Sequence, residues 1–327
     1  MTQAPLTLPR DRFLDLPQGE DRKVGIEIEF GGLTEDEVAD ILIEQLSGRC
    51  ERTGPVGLQL VETALGTIKI YLDTAWRDRA DTAVVGRLLE AARRIVPVEI
   101  VTEPLAFSDL PRLEVCRAAL REAGAIGSRN GFLLGWGVHL NVETEGSEVS
   151  DILPVLTAFA LCDDVIRAQN WIDPSRRIVP FIDPYPRRFI DALADRDQFS
   201  MEELIDLYLE HNPTRNRALD MLPVFAHIAP DQTHAGLSGD EKVNARPAYH
   251  YRLPDSRIDE ADWTLALEWN RWILIERIAA DADLLDLIRE DWRDHRAHWT
   301  TLRTDWPDRV LARLEAANLL DDMKEIA

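Results

Sequence analysis

The sequence predicts an α+β protein in which helices cover one face of an antiparallel sheet. At least five segments alternate apolar and polar residues, which is typical of strands with one buried and one polar face. Leu65-Gly66 separates two of these segments with turn chemistry, so the two are expected to form an antiparallel hairpin. Elsewhere, and throughout the C-terminal region, apolar residues recur at spacings of three and four, which predicts helices.

The first half of the chain alternates between the two kinds of element. Residues 1–20 carry proline and charge without a period, which predicts a tail or a strap on the surface. A strand follows at residues 24–30, and Thr34 with the acids after it predicts a helix to about residue 46. The next predicted elements are two hairpin arms at residues 58–64 and 67–73, a helix at 81–95, a strand at 98–101 and a helix at 111–123. The segment 131–143 follows, and it alternates as a strand does from residue 138.

The second half is mainly helical. A helix is predicted over residues 151–170, and a loop rich in proline and arginine follows at residues 171–188. Ser200 caps another helix, residues 249–253 form the last strand, and the chain is helical from about residue 259. Six of the nine tryptophans lie in this last region. Leu265, Trp269, Trp272 and Glu276 fall on one stripe of a helix, which predicts that most of these tryptophans are core residues.

Composition limits the classes of function. The 327 residues are long enough for one large domain or two ordinary ones. Lys and Arg number 37 against 59 Asp and Glu, and the net charge of −22 argues against binding nucleic acid or an anionic membrane. No apolar stretch is long enough to span a bilayer. Cys50, Cys116 and Cys162 are odd in number and far apart, which indicates reduced thiols in a cytoplasmic protein.

The polar faces of the predicted strands are rich in carboxylate and imidazole. They carry Glu27, Glu29, Lys69, Tyr71, Asp73, Glu99, His139, Asn141, Glu143, His250 and Arg252. Like charges two apart on a strand repel each other unless a cation lies between them, which favours a metal site. A solvated sheet face with structural ion pairs is the alternative interpretation.

The residue types also indicate which metal such a site would hold. Carboxylates with one or two imidazoles and no cysteine pair favour Mg²⁺ or Mn²⁺ over structural zinc. Mg²⁺ held by protein carboxylates usually keeps open positions for substrate phosphates, which points to nucleotide chemistry.

Five short motifs follow one another along the chain: VGIEIEF, YLDTAW, VEIVTEPL, GVHLNVE and VNARPAYHYRLPDS. In order and spacing they resemble the amidoligase family of carboxylate-amine ligases, and the similarity spans about residues 22–280. The resemblance implies the fold of glutamine synthetase and glutamate-cysteine ligase, with a curved antiparallel sheet whose concave face holds Mg²⁺ (or Mn²⁺) and ATP. It also implies one catalytic domain over residues 21–327, with a helical C-terminal extension from about residue 280.

The resemblance assigns roles to individual residues. Glu27, Glu29 and Glu99 match metal-ligand carboxylates, and His139 matches the first imidazole of a His-x-His motif whose second position is Asn141. The late Glu-x-Arg strand is matched by His250 and Arg252, so a histidine stands where the family has an acid. His250 is still a predicted metal ligand, because a neutral imidazole can bind a metal. Further nucleotide and substrate contacts are assigned to Asn141, Asn244, Arg252 and Arg246.

The function implied is an ATP-dependent ligase that joins a carboxylate and an amine, each a small molecule or a peptide, through an acyl phosphate. Glu29 and Arg252 are the predicted catalytic residues. Arg176 and Arg177, in the arginine-rich loop, are predicted substrate contacts, with a charge-compensating surface loop as the alternative. The oligomeric state stays open.

Two rival functions follow from other residues. The departures at Asn141 and His250 favour a non-catalytic relative that binds nucleotide or a partner protein without forming amide bonds. A metal hydrolase is the second rival, because potential ligands in DWRDHRAHW share one helix face: Asp291, Asp294, His295 and His298.

Overall fold

The fold is a mixed α/β arrangement built on one antiparallel sheet. The computed structural model describes residues 8–19, 21–54, 57–72, 97–128, 136–169, 182–237, 243–298 and 305–323. These residues contain eight strands in a single sheet and ten α-helices. The predicted class, an antiparallel sheet combined with helices, is confirmed at this level.

The sheet order is β2-β3-β4-β5-β1-β6-β8-β7, and every neighbouring pair is antiparallel. The strands are β1 Val24–Phe30, β2 Arg49–Gly54, β3 Gly57–Thr63, β4 Gly66–Leu72, β5 Val98–Thr102, β6 Val138–Val142, β7 Leu219–Asp220 and β8 His250–Tyr251. The hairpin at Leu65-Gly66 and the strands containing Glu27, Glu99, His139 and His250 are therefore confirmed. Sequence patterns did not predict β2, because this edge strand is exposed along its length, or β7, because it has only two residues.

The helices are α1 Glu35–Leu46, α2 Leu110–Glu122, α3 Val149–Gln169, α4 Arg187–Asp195, α5 Met201–His211, α6 Leu222–Ile228, α7 Pro230–Ala235, α8 Leu265–Ala280, α9 Ala282–Ala297 and α10 Trp306–Ala316. Two 3₁₀ turns lie at Phe107–Asp109 and Asp321–Met323. The predicted caps are correct, because Thr34 and Ser200 each form a capping box with the glutamate three residues later.

The predicted loop at residues 171–188 needs one correction. Arg187 and Arg188 do not belong to it, because Pro186 ends the extended segment and α4 begins at Arg187. The rest of that prediction up to residue 181 lies outside the described residues, as do the helix predicted at residues 81–95 and Asp73.

Each central strand has an apolar face in the core and a polar face on the other side. In β1, Ile26, Ile28 and Phe30 are buried, whereas Glu27 and Glu29 are only half-buried. Helix α1 packs on β3 and β4, and its apolar residues complete that part of the core. The polar faces of β5, β1, β6 and β8 are thereby left to form one surface.

The tryptophan-rich helix α8 is a core element, as its stripe predicts. Leu265, Trp269, Trp272 and Glu276 are all buried. The N-terminal segment lies against this helix: the Asn270 amide donates to the carbonyls of Pro9 and Arg12 and accepts from the amide of Leu14. Residues 8–16 are thus a strap held by buried hydrogen bonds. No helix among the described residues is long and apolar enough to cross a membrane.

The three cysteines are free thiols in different environments. Cys50 is exposed on β2, whereas Cys116 and Cys162 are buried. Burial raises the pKa of the Cys116 thiol to about 11 and that of Cys162 to about 12, so neither forms thiolate near neutral pH. We expect Ellman's reagent at pH 8 to label one thiol per folded chain and three after denaturation. Rapid labelling of two thiols in the folded protein would contradict this packing.

Candidate metal and nucleotide site

The strand order brings the carboxylates and imidazoles together. β1 lies between β5 and β6, so Glu29 is the cross-strand partner of Glu99 and Glu27 is the partner of His139. On the far side of β6, β8 supplies His250. Cross-strand partners share a face of the sheet, so residues from four strands form one polar cluster.

One chain of hydrogen bonds links the middle of this cluster. Nδ1 of His139 lies 2.7 Å from Oε2 of Glu27, and Nδ2 of Asn141 donates to Oε1 of the same glutamate over 2.8 Å. Nη2 of Arg246 donates to Oδ1 of Asn141 over 2.7 Å and lies 3.8 Å from Oε1 of Glu27. The amide of Asn141 therefore connects an arginine to the glutamate that holds His139.

Glu29 and Glu99 form the acidic end of the cluster. Oε2 of Glu29 accepts a hydrogen bond from the backbone N–H of Gly137 at 2.9 Å, which fixes that side chain beside β6. Its direct neighbour across the strands is Glu99. Two like charges in directly opposed positions destabilise a sheet, and a bound cation relieves that repulsion.

His250 is held by an aspartate that sequence patterns did not identify. Oδ2 of Asp220 lies 3.2 Å from Nδ1 of His250 and accepts from Nε of Arg215, also over 3.2 Å. Arg252 donates from Nη1 to the backbone carbonyl of Arg215 over 2.5 Å. Neither Asp220 nor Arg215 lies in an alternating or helical pattern, so only the pairing of β7 with β8 reveals them.

Electrostatics set the protonation states of the cluster. Burial would raise the pKa of Glu27, but the hydrogen bond from His139 and the nearby charge of Arg246 lower it well below its usual value. Burial would likewise raise the pKa of Asp220, and the hydrogen bond from His250 with nearby arginines lowers it. Burial lowers the pKa of His250 to about 4 despite the contact with Asp220. Near neutral pH both carboxylates are ionised and His250 is neutral, which are the states that metal ligands require.

The cluster contains two overlapping groups of potential metal ligands. Glu27, His139 and His250 form one group, Glu29, Glu99 and His139 form the other, and within each group the ligand atoms lie within 4.8 Å of one another. Carboxylate oxygens with imidazole nitrogens suit a divalent ion such as Mg²⁺ or Mn²⁺. Nε2 of His250 is buried and makes no hydrogen bond within the described residues. The residues present therefore fit a bound divalent cation.

Comparison with known proteins identifies the family. A family model described as "putative amidoligase enzyme" matches residues 20–274. The chain belongs to the amidoligase family. No curated protein and no solved structure matches it. The matched residues include both ligand groups, so the family assignment and the cluster concern the same part of this amidoligase chain.

The structure places the remaining predicted contacts as follows. Arg246 lies in the cluster, whereas Asn244 is exposed in the segment before β8. Arg176 and Arg177 lie outside the described residues. Trp136, which had no predicted role, lies against Gly31 just beyond β1, where a Cβ atom would come within 2.6 Å of the indole.

Asp291, Asp294, His295 and His298 form no group of potential metal ligands in the described part of the chain. Both ligand groups found there lie on the sheet. Asp291 pairs instead with Arg313 at 2.8 Å, and His295 is buried against Trp292 and Trp306. Helical spacing put these residues near one another, but packing gave them structural roles.

Proposed function

We propose that this protein is an ATP-dependent ligase that joins a carboxylate to an amine, forming an amide or peptide bond. The observation that carries the proposal is the convergence of Glu27, Glu29, Glu99, His139 and His250 on one face of the sheet, within a chain of the amidoligase family. We further propose that this sheet is of the glutamine synthetase type, with its polar face as the nucleotide surface.

The charges of the cluster suit such a reaction. Carboxylates lie on β5 and β1, and arginines accompany β7 and β8 at the other side of the histidines. Divalent ions bound by Glu29, Glu99 and His139, or by Glu27 and His250, would neutralise phosphate charge. The guanidinium groups of Arg252 and Arg246 suit phosphoryl and carboxylate oxygens, because their planar fork can donate two parallel hydrogen bonds.

The proposed reaction has two displacements. A carboxylate oxygen of the first substrate attacks the γ-phosphorus of ATP, the bond to the bridging oxygen breaks, and ADP leaves. The amine nitrogen then attacks the carbonyl carbon of the acyl phosphate, and inorganic phosphate leaves as the nitrogen loses a proton. The protein contributes mainly by positioning the reactants and stabilising charge.

Oxygen transfer tests this proposal directly. With ATP, Mg²⁺ or Mn²⁺, and a panel of amino acids and polyamines, we expect ADP release that requires both an acid and an amine. When the acid carries ¹⁸O in its carboxylate, one ¹⁸O should appear in the released phosphate by mass spectrometry.

Three other outcomes would exclude this mechanism. Formation of AMP would indicate an acyl adenylate instead. ATP binding by calorimetry without ADP release on any substrate pair would favour the non-catalytic nucleotide-binding relative. If the protein shows neither turnover nor a nucleotide-induced thermal shift, a role for the nucleotide in its function would be excluded.

A further inference from the structure

Two carboxylate–histidine pairs stand side by side in the cluster. Glu27 holds Nδ1 of His139 at 2.7 Å, and Asp220 holds Nδ1 of His250 at 3.2 Å. In each pair the two residues are cross-strand partners. The two imidazole rings meet edge to face with their centroids 5.2 Å apart, so both histidines belong to one arrangement.

Both carboxylate oxygens of Asp220 are held by the surrounding residues. It is fully buried, Oδ1 accepts from the backbone N–H of Leu222 over 3.1 Å, and Oδ2 accepts from Arg215 as well as contacting His250. Arg215 balances its charge. An ionised carboxylate can only accept hydrogen bonds, so Nδ1 of His250 carries the proton and Nε2 carries the lone pair.

The lone pair on Nε2 of His250 accepts no hydrogen bond from the described residues, and the side chain is only 4% exposed. A buried polar atom without a partner is costly, and a bound ion is one of the explanations for such an atom in a native structure. Here His250 offers a ligand atom within 4.8 Å of those of Glu27 and His139. Glu27 can hold His139 and still bind an ion, because a carboxylate has about four lone-pair sites.

We propose that Asp220 is a positioning residue for His250, and that the Glu27, His139 and His250 group therefore binds Mn²⁺ more tightly than Mg²⁺. A carboxylate behind a ligating histidine fixes the ring and raises its basicity. Imidazole suits first-row transition ions, whereas Mg²⁺ prefers an all-oxygen shell, so two oriented histidines shift the selectivity. This deepens the proposed function, since the bound ion would be one that serves ATP.

The test measures ion binding without nucleotide. Free Mn²⁺ is followed by electron paramagnetic resonance, with Mg²⁺ as competitor. We expect at least about a tenfold preference for Mn²⁺ in the wild type. Asp220→Asn should lower the Mn²⁺ affinity by about 10- to 100-fold and change the Mg²⁺ affinity little. Asp163→Asn is the matched control, because Asp163 is an equally buried, arginine-paired aspartate outside the ligand groups.

A spectroscopic readout keeps the proposal testable if Asp220→Asn fails to fold. Electron spin echo modulation of bound Mn²⁺ should show ¹⁴N coupling from two imidazoles in the wild type and from one in His250→Gln. Equal Mn²⁺ and Mg²⁺ affinities, unchanged affinity in folded Asp220→Asn, or ¹⁴N coupling that His250→Gln leaves unaltered would each overturn it. An absent ligase reaction with selective Mn²⁺ binding would remove the proposed function and leave this inference standing.

Discussion

Replacing Glu29 with glutamine is expected to lower ATP turnover by about 10²- to 10³-fold, the loss typical of removing one preorganised electrostatic group. Glutamine has nearly the same shape, and its carbonyl oxygen can still accept the hydrogen bond that Gly137 donates. The substitution therefore removes one negative charge from the group of Glu29, Glu99 and His139 without removing its backbone anchor. The measurement is ADP release at saturating substrates, together with Mn²⁺ affinity.

Stability without metal separates this effect from misfolding. Glu29 and Glu99 face each other across β1 and β5, so removing one charge should leave the metal-free protein equally stable or more stable by about 0.2–1 kcal/mol. The stabilisation gained on adding Mn²⁺ should shrink in the same variant. Glu51→Gln removes an exposed carboxylate on β2 and is the control. It should change neither the ATP turnover nor the stabilisation gained on adding Mn²⁺. Wild-type turnover in Glu29→Gln would exclude Glu29 from the site.

The second large effect concerns the free energy of unfolding. Glu276 on α8 accepts hydrogen bonds from Nη1 and Nη2 of Arg22, both at 3.0 Å, and from the Trp272 indole at 2.9 Å. Both charged side chains are buried. Glu276→Gln leaves the Arg22 guanidinium buried without its counter-charge, so we expect a loss of about 3–5 kcal/mol in urea denaturation.

A surface ion pair provides the matched control. Arg10 and Asp262 lie 2.9 Å apart with side chains 42% and 64% exposed, so Asp262→Asn should cost no more than about 1 kcal/mol. Arg22 also donates to the carbonyls of Gln18, two residues after the strap, and of Glu143, so it connects the chain that leaves the strap to the residue that follows β6. Faster proteolysis of the strap in Glu276→Gln would report that connection. A loss as small as that of the control would show that the buried pair is not what holds the strap.

Local pattern was enough to place most of the candidate ligands on strands and to orient them. Glu27 and Glu29 had to share a face because residues two apart on a strand always do, and the same holds for His139 and Asn141. Alternation with apolar neighbours decided that this face was the polar one. Capping chemistry at Thr34 and Ser200 and the turn at Leu65-Gly66 depend equally on neighbouring residues, and the structure has all three.

Contacts between distant segments could not be obtained in this way. The neighbours of β1 are β5 and β6, which lie far along the chain, and only the sheet order sets Glu29 opposite Glu99 and Glu27 opposite His139. The two-residue strand that carries Asp220 is too short to show a period, although it holds His250. The reverse also occurred: Asp291 and His295 have ligand-like spacing, but packing directs them to Arg313 and to two tryptophan rings.

The sequence by itself determined most of the secondary-structure elements, their buried faces and the residue types available for a divalent ion, because these depend on periods of two and 3.6 residues. Only the tertiary structure decided which carboxylate meets which histidine, and that Asp220 and Arg215 stand behind His250. The physical reason is that strand pairing is fixed by burial and register over the whole sheet. The sequence of one short segment therefore does not identify the strand with which it pairs.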